Sequence, residues 1–465
     1  MGETQRVSTM IEAPRILIVS ENASFRFGGE AALPLHYFRV LRERGFPVWL
    51  ISHARTRDEL LQMFPAEDRI FYVEDNAFHK AMWSLSKRLP ADVAYITTEY
   101  LSRISSQLIQ RRLVKRLVAQ ENIRLIHQPA PVSPREPSML HGFGVPVVMG
   151  PMNGGMDYPP AFRRRAGRIQ QMAIRAGRSI SAVLNRLMPG KRRAACLIVA
   201  NDRTRSVLPS AARQRIVEMV ENGIDCRLWF GEGRGDASRP VRVPVTFVFM
   251  GRLVPFKAVD LLLQAYRGAA RQVPMRLLVV GDGAERSRLV ALADRLGVLS
   301  NSKDPASQGV AFLGWCDQRR CAELLRESDC LVLPSLKECG GAVVLEAMAS
   351  AKPVIATAWG GPADYLDDSC GILIAPTSPA ALIQGFSDAM VQLALSPAAR
   401  EFMGERGRAK AVAQFDWRAK VDRILQVYSW ALASTSAGSV RGQRSPLPRS
   451  VVQPMEEEAG AREIR

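Results

Sequence analysis

CLVLPSLKECGGAVVLEAMASAKPVIAT, residues 330–357, decides how the chain is read. CLVLPS is a short apolar run of strand type, KECGG a loop with paired glycines, AVVLEAMAS a helical run and PVIAT the start of a second strand. Strand, loop, helix and strand in that order form the unit of a parallel sheet covered by helices. The first N–H groups of such a helix have no intrahelical partner, and with the helix dipole they favour an anion at the loop. Gly340 and Gly341 permit close approach of that anion to the backbone, and the helix opens at Ala342. Glu338 precedes the helix and is placed to point at the same ligand. Glu346 stands inside the helix among apolar residues, where a carboxylate needs a partner. Sugar hydroxyls are good partners; a helix cap with a neighbouring arginine is the structural alternative.

The same unit repeats in both directions. VTFVFMG (245–251), MRLLVVGDG (275–283), VAFLGW (310–315) and GILIAP (371–376) read as strands of the same set. An earlier set comprises RILIVS (15–20), FPVWLIS (46–52), VAYITTE (93–99), IRLIHQP (123–129) and VPVVMGP (145–151). The fold class is therefore α/β, with two Rossmann-like doubly wound domains in series facing each other across a deep cleft. The segment GEGRGDASRPVRVP (231–244) is rich in Gly, Pro and charge and marks the boundary. The expected organisation is a flexible amino terminus (1–13), an amino-terminal domain (14–235), a linker (236–244) and a carboxy-terminal domain (245–395). A helical segment (396–433), able to cross back to the first domain, and a Ser/Pro/Gly-rich tail without fixed structure (434–465) complete it.

The chain has 465 residues, 63 Lys plus Arg against 45 Asp plus Glu, and a formal charge of +18, which favours anionic partners. Its seven cysteines, at 196, 226, 316, 321, 330, 339 and 370, form no CxxC pair, so a disulfide framework or structural zinc is not expected. No apolar run suggests a leader or a membrane span, and a cytoplasmic location, with peripheral attachment to the membrane's cytoplasmic face as the variant, is the expectation.

Ligands of open α/β sheets bind outside the carboxyl ends of the strands. On that edge, GRLVPFK (251–257) offers Arg252 as a fork and Lys257 as a point charge for a diphosphate; solvation is the alternative for each. FGGEAAL (27–33) places Gly28 and Gly29 between a strand and a helix, but it is neither GxGxxG nor a P-loop. The glycines of GDGAE (281–285) are read as turn formers.

In this frame the chain resembles the retaining glycosyltransferases of family four, of GT-B architecture, over roughly residues 14 to 433. The most specific piece is the pair Glu338 and Glu346 within PSLKECGGAVVLEAMASAKPVIAT, supported by GRLVPFK and by QFDWRAKVDRILQVY near the end. The resemblance implies a nucleoside-diphosphate sugar, UDP- or GDP-linked, as donor, and a glycan, lipid-linked saccharide or small-molecule hydroxyl as acceptor. It implies that Glu346 receives the ribose hydroxyls, Glu338 lies nearest the donor sugar, and Arg252 with Lys257 neutralises the diphosphate. It also assigns Gly340, Gly341 and Ala342 to the turn against sugar and phosphate. Gly28 and Gly29 match a loop closing over the diphosphate. His127 matches a cleft histidine that orients donor or acceptor, and Asn153, Gly154 and Gly155 match a loop on the acceptor side. No cofactor and no obligatory metal is implied, since the cations can replace a divalent ion. The chain departs from the family at Cys339, commonly an aromatic, and at Ala258, commonly glycine.

The segment 161–193 holds ten Lys or Arg and no acid, with Ile169, Met172, Ile174, Ile180 and Val183 interspersed. It reads as a basic amphipathic surface for anionic membrane lipid, or as a solvated helix face. Two other functions fit the same chain: a sugar-nucleotide epimerase of GT-B architecture, and a non-enzymatic basic nucleic-acid-binding or scaffold protein. The second has charge alone behind it; zinc-finger, RNP and GXXG patterns are missing, so nucleic acid is not the expected partner.

Overall fold

The computed structural model describes residues 13–89, 97–165, 168–209, 215–230, 244–300, 302, 304 and 307–437; of residues 168–176, 436 and 437 only the backbone is described. The expected linker therefore lies outside the described residues except for Pro244, as does the tail beyond residue 437.

The first sheet is built from β1 (Ile16–Val19), β2 (Val48–His53), β3 (Ile70–Val73), β4 (Leu125–Gln128), β5 (Val147–Met152), β6 (Cys196–Val199) and β7 (Ile216–Glu218). All pairs are parallel, in the order β3-β2-β1-β4-β5-β6-β7, with Ile16 opposite Val48 and Leu125. ILIV of β1 is buried throughout, as a strand covered on both faces must be. Its alternation sorts the core into two layers. Ile16 and Ile18 join Val48, Leu50 and Leu125 on one face, while Leu17 and Val19 join Trp49, Ile51 and Ile126 on the other.

The second sheet contains β8 (Val245–Met250), β9 (Met275–Val280), β10 (Gly309–Gly314), β11 (Cys330–Leu333), β12 (Val354–Thr357) and β13 (Gly371–Ile374). It is also parallel, in the order β10-β9-β8-β11-β12-β13. In both sheets the strand order reverses beside the first strand, which opens a crevice at the carboxyl edge.

Two expectations are corrected. VAYITTE does not extend a strand through its described part: Thr98 and Glu99 open the helix Thr98–Gln120, and residues 90–96 lie outside the described residues. The described edge of the sheet is β3, IFYV, an apolar run not among the strands expected; Ile70, Phe71 and Tyr72 are partly buried and Val73 is buried. The helical segment also does not stop at 433 but runs to Ala437.

That last helix, Trp417–Ala437, belongs to the first domain's core. Trp417, Val421, Ile424, Val427, Tyr428 and Ala431 pack with β1 and with the helix Gly29–Glu43. The preceding helix, Pro397–Lys410, stays with the second domain, where Gly404 abuts the Ala351 carbonyl so closely that a Cβ would lie 2.2 Å from it. Between the two helices the chain passes beside its own earlier crossing: Ile224 N–H donates to Phe415 O at 2.8 Å and Trp417 N–H to Ile224 O at 3.1 Å.

His127 is fully buried on β4. Its Nε2 meets Gly150 O at 2.7 Å and its Nδ1 meets Tyr428 Oη at 2.7 Å. Desolvation holds the imidazole well below its ordinary pKa, at about 4, so it is neutral. Tyr428→Phe would leave Nδ1 without a partner inside the core. A loss of about 1–3 kcal/mol in chemical denaturation is expected, with an unchanged far-UV spectrum; an unaltered midpoint would show that the bond contributes nothing.

Candidate functional site

The second domain's carboxyl edge gathers the residues singled out in the sequence. Lys257 lies at the end of a short 3-10 turn (Pro255–Lys257), and its Nζ pairs with Glu338 Oε2; both side chains are mostly buried. The two loops are also joined through backbone, Leu336 N–H to Phe256 O at 2.8 Å. Arg252, on the same loop as Lys257, is exposed and has no ion-pair partner among the described residues. The loop is anchored from below by GDGAE. Leu253 N–H donates to Asp282 O, and Glu285 N–H donates to Leu253 O. A Cβ on Gly281 would lie 2.0 Å from Gly251 O, and one on Gly283 2.4 Å from Leu253 O. Those glycines thus allow two loops to touch, which goes beyond making a turn.

The helix Ala342–Ala349 starts behind Gly341, whose φ of 80° is the left-handed conformation that glycine adopts at little cost. Ala258 takes the same conformation, φ 52°, at the start of the helix Val259–Ala270, so a glycine preference there has a backbone cause. Glu346 is partly buried, and its carboxylate has no hydrogen bond among the described residues. Desolvation pushes its carboxyl up to about 7. Burial first and the nearby Glu346 charge second raise the Cys321 thiol, on the helix Gln318–Glu327, to about 12.

The two sheets present their carboxyl edges to each other. Asn153, following β5, is buried, and its Nδ2 donates both to Glu221 Oε2 and to Cys339 O, each at 2.8 Å. Asn222 Nδ2 donates to Tyr365 Oη at 3.1 Å, and Asp364 accepts from Asn201 at 2.7 Å and Arg203 at 3.1 Å. Gly340 lies directly against this bridge: a Cβ there would be 2.2 Å from Glu221 Oε1 and from Asn222 Nδ2. Burial pushes Glu221 up and Lys420 down, each to about 7, with mutual attraction opposing both shifts. Glu221, Asn222 and Lys420 were not legible as site residues. Their signal was slight, a polar ENG turn after the three-residue strand β7.

Three assignments change place. His127 is a core residue with both ring nitrogens engaged, so it does not line the cleft. Asn153 spends its amide on the interdomain bridge. Gly154 and Gly155 pack against Pro134, Arg203 and Val207, where their missing side chains make room. A cavity of about 1270 Å³ instead opens at the carboxyl edges of β1 to β4, with Phe27, Glu30 and Ala31, flanking Gly28 and Gly29, in its wall.

This architecture is GT-B. A glycosyltransferase from Rickettsia africae superposes with a TM-score of 0.59 at 15% identity, covering 90% of this chain and 99% of that one. Anabaena HepE, crystallised with UDP, gives 0.57 at 16%, covering 89% and 99%. Residues 239–410 match the family model of glycosyl transferases group 1. The D-inositol 3-phosphate glycosyltransferase of Mycolicibacterium smegmatis is 33% identical over 261 residues, 52% of this chain and 55% of that protein. The enzyme of the same name from Saccharomonospora viridis is 32% identical over 231 residues, 47% and 51%. The chain spans about half the length of these curated relatives.

Gly340→Ala must displace two hydrogen-bonded side chains, the buried Glu221 and the partly buried Asn222. A loss of about 1–3 kcal/mol and a larger radius of gyration by small-angle scattering are expected. A variant with unchanged stability and dimensions would show that the bridge yields freely.

Proposed function

We propose that the chain is a retaining glycosyltransferase that moves a sugar, of hexose type, from a nucleoside diphosphate to a hydroxyl of a glycan, lipid-linked saccharide or small molecule. The observation that carries this is the Lys257–Glu338 pair beside the start of the helix Ala342–Ala349, on the carboxyl edge of the second sheet. The names of the relatives support it. A uridine donor is the first choice, because HepE, of the same fold, has been crystallised with UDP-glucose.

Each group then has a task. Charge develops on the leaving phosphate, and Lys257, Arg252 and the helix start stabilise it in a drier cleft. An ammonium has three N–H donors, so Lys257 can hold Glu338 and still donate to a phosphate oxygen. Glu338 approaches the donor sugar's hydroxyls. Glu346 accepts from the ribose hydroxyls, which supply the partner its half-buried carboxylate otherwise lacks. The leaving phosphate takes the acceptor's proton, so no paired acid and nucleophile of the glycosidase kind is required, and no obligatory metal or cofactor is invoked.

Membrane contact is proposed for the helix Arg168–Leu187. Ile180, Val183 and Leu187 are 55%, 59% and 72% exposed at helical spacing, with Arg178 and Arg186 alongside. The side chains of Ile169, Met172 and Ile174 lie outside the described residues. Among the described residues no helix is long and apolar enough to cross a membrane.

Arg252→Ala with Lys257→Ala should weaken UDP-glucose binding by about 100-fold or more, since each charge-assisted contact contributes on the order of 1.5–3 kcal/mol; calorimetry on the folded double variant decides. Ribose hydroxyls bind the ionised Glu346, and its pKa of about 7 sets the window. Donor affinity should rise about tenfold between pH 6 and 8 and level off above, and Glu346→Gln should flatten that rise. Replacing Ile180, Val183 and Leu187 with serine should reduce co-sedimentation with anionic vesicles, and equal binding by the variant would remove this helix from the contact.

A further inference from the structure

The net charge of +18 points to anionic partners, yet the cavity at the carboxyl edges of β1 to β4 has the opposite character. Its wall carries five carboxylates against three cations. Two of those cations are already engaged: Arg55 pairs with Glu21 at 2.8 Å, and Arg103 lies between Glu136 at 3.5 Å and Glu99 at 3.8 Å. Glu30 accepts one N–H, from Val132 at 2.9 Å, through Oε1. Burial raises both Glu30 and Glu136 above the usual carboxylate range, and Glu21 adds repulsion to each. A second observation is independent of charge. Asn22, also on the wall, leaves its Oδ1 buried with no hydrogen-bond partner among the described residues. The cavity thus offers carboxylate and amide acceptors and is poor in uncommitted cations. It also presents aromatic surface: Trp83 is 64% exposed and Phe27 52%. Ring faces beside hydrogen-bond acceptors suit a sugar, whose C–H faces pack on aromatics while its hydroxyls donate.

We infer that this cavity seats an acceptor saccharide that offers donors, hydroxyl or ammonium, to Glu30 and Glu136 and carries no phosphate there. The inference rests on the glycosyltransferase reading and adds the acceptor's chemical class to it. A phosphate brought against Glu30 and Glu136 would meet like charge in a desolvated pocket, with the nearest guanidinium, Arg103, already shared between two carboxylates. An ammonium or a set of hydroxyls meets the reverse.

The test uses the full chain, saturated with UDP, and ligand-observed NMR with glucose, glucosamine and glucose 6-phosphate as probes. Glucose and glucosamine are expected to bind at least tenfold more tightly than glucose 6-phosphate. Glu30→Gln with Glu136→Gln should weaken glucosamine binding about tenfold and narrow the discrimination against the phosphate. UDP-glucose affinity, a readout of the other domain, should stay at the wild-type value and shows that the variant is folded. Should that double variant not fold, Trp83→Ala, at an exposed position, is expected to weaken both neutral and amino sugars. Preference for glucose 6-phosphate, failure of all three sugars to bind, or sugar binding indifferent to these substitutions overturns the inference. Failure of UDP-glucose itself to bind, with the sugars behaving as described, would instead overturn the glycosyltransferase reading and leave the cavity a saccharide site.

Discussion

The arrangement depends on one close approach. The backbone from Cys339 to Gly341 runs so near Glu221, Asn222 and Asn153 that no side chain fits at position 340. Backbone of one domain and polar groups of the other meet there, with Asn153 donating to Cys339 O. The same turn carries Glu338, which is tied to Lys257, and opens the helix that holds Glu346. A contact that fixes how the domains meet therefore also fixes the shape of the second domain's carboxyl edge.

Burying Glu221 and Lys420 has an energetic cost that their attraction only partly offsets. Such a pair adds little to net stability, and both its members belong to the first domain; the bond that crosses to the second is that of Asn153, held by Glu221, to Cys339 O. Polar specificity of this kind suits two domains that have to meet in one register, where an apolar patch would tolerate sliding.

Much of this was legible in the sequence because parallel strands buried on both faces are continuous apolar runs. ILIV, CLVL and VIAT announce themselves, and the glycine and charge punctuation after them marks the carboxyl edge. That Lys257 and the Glu338 loop share this edge was legible; the ion pair between them was not. What stayed hidden depended on chain segments distant in sequence. His127 looks like a cleft residue from its place after an apolar run, but Tyr428, far along the chain, and the Gly150 carbonyl enclose it. Asn153 looks like a loop residue free to meet a ligand until Glu221 and Cys339 are brought beside it. The run 93–99 shows a related limit, since a short apolar stretch reads alike as strand or as the approach to a helix.

The chain passes between the domains twice, and the two passages lie side by side, joined at Ile224, Phe415 and Trp417 by backbone hydrogen bonds. A single tether would let one domain swivel about it. Two laced strands behave more like a leaf hinge, which bends easily about one axis and resists torsion. Any movement about such a hinge would then return the acidic cavity and the cationic edge to the same mutual alignment, set by the route of the polypeptide itself.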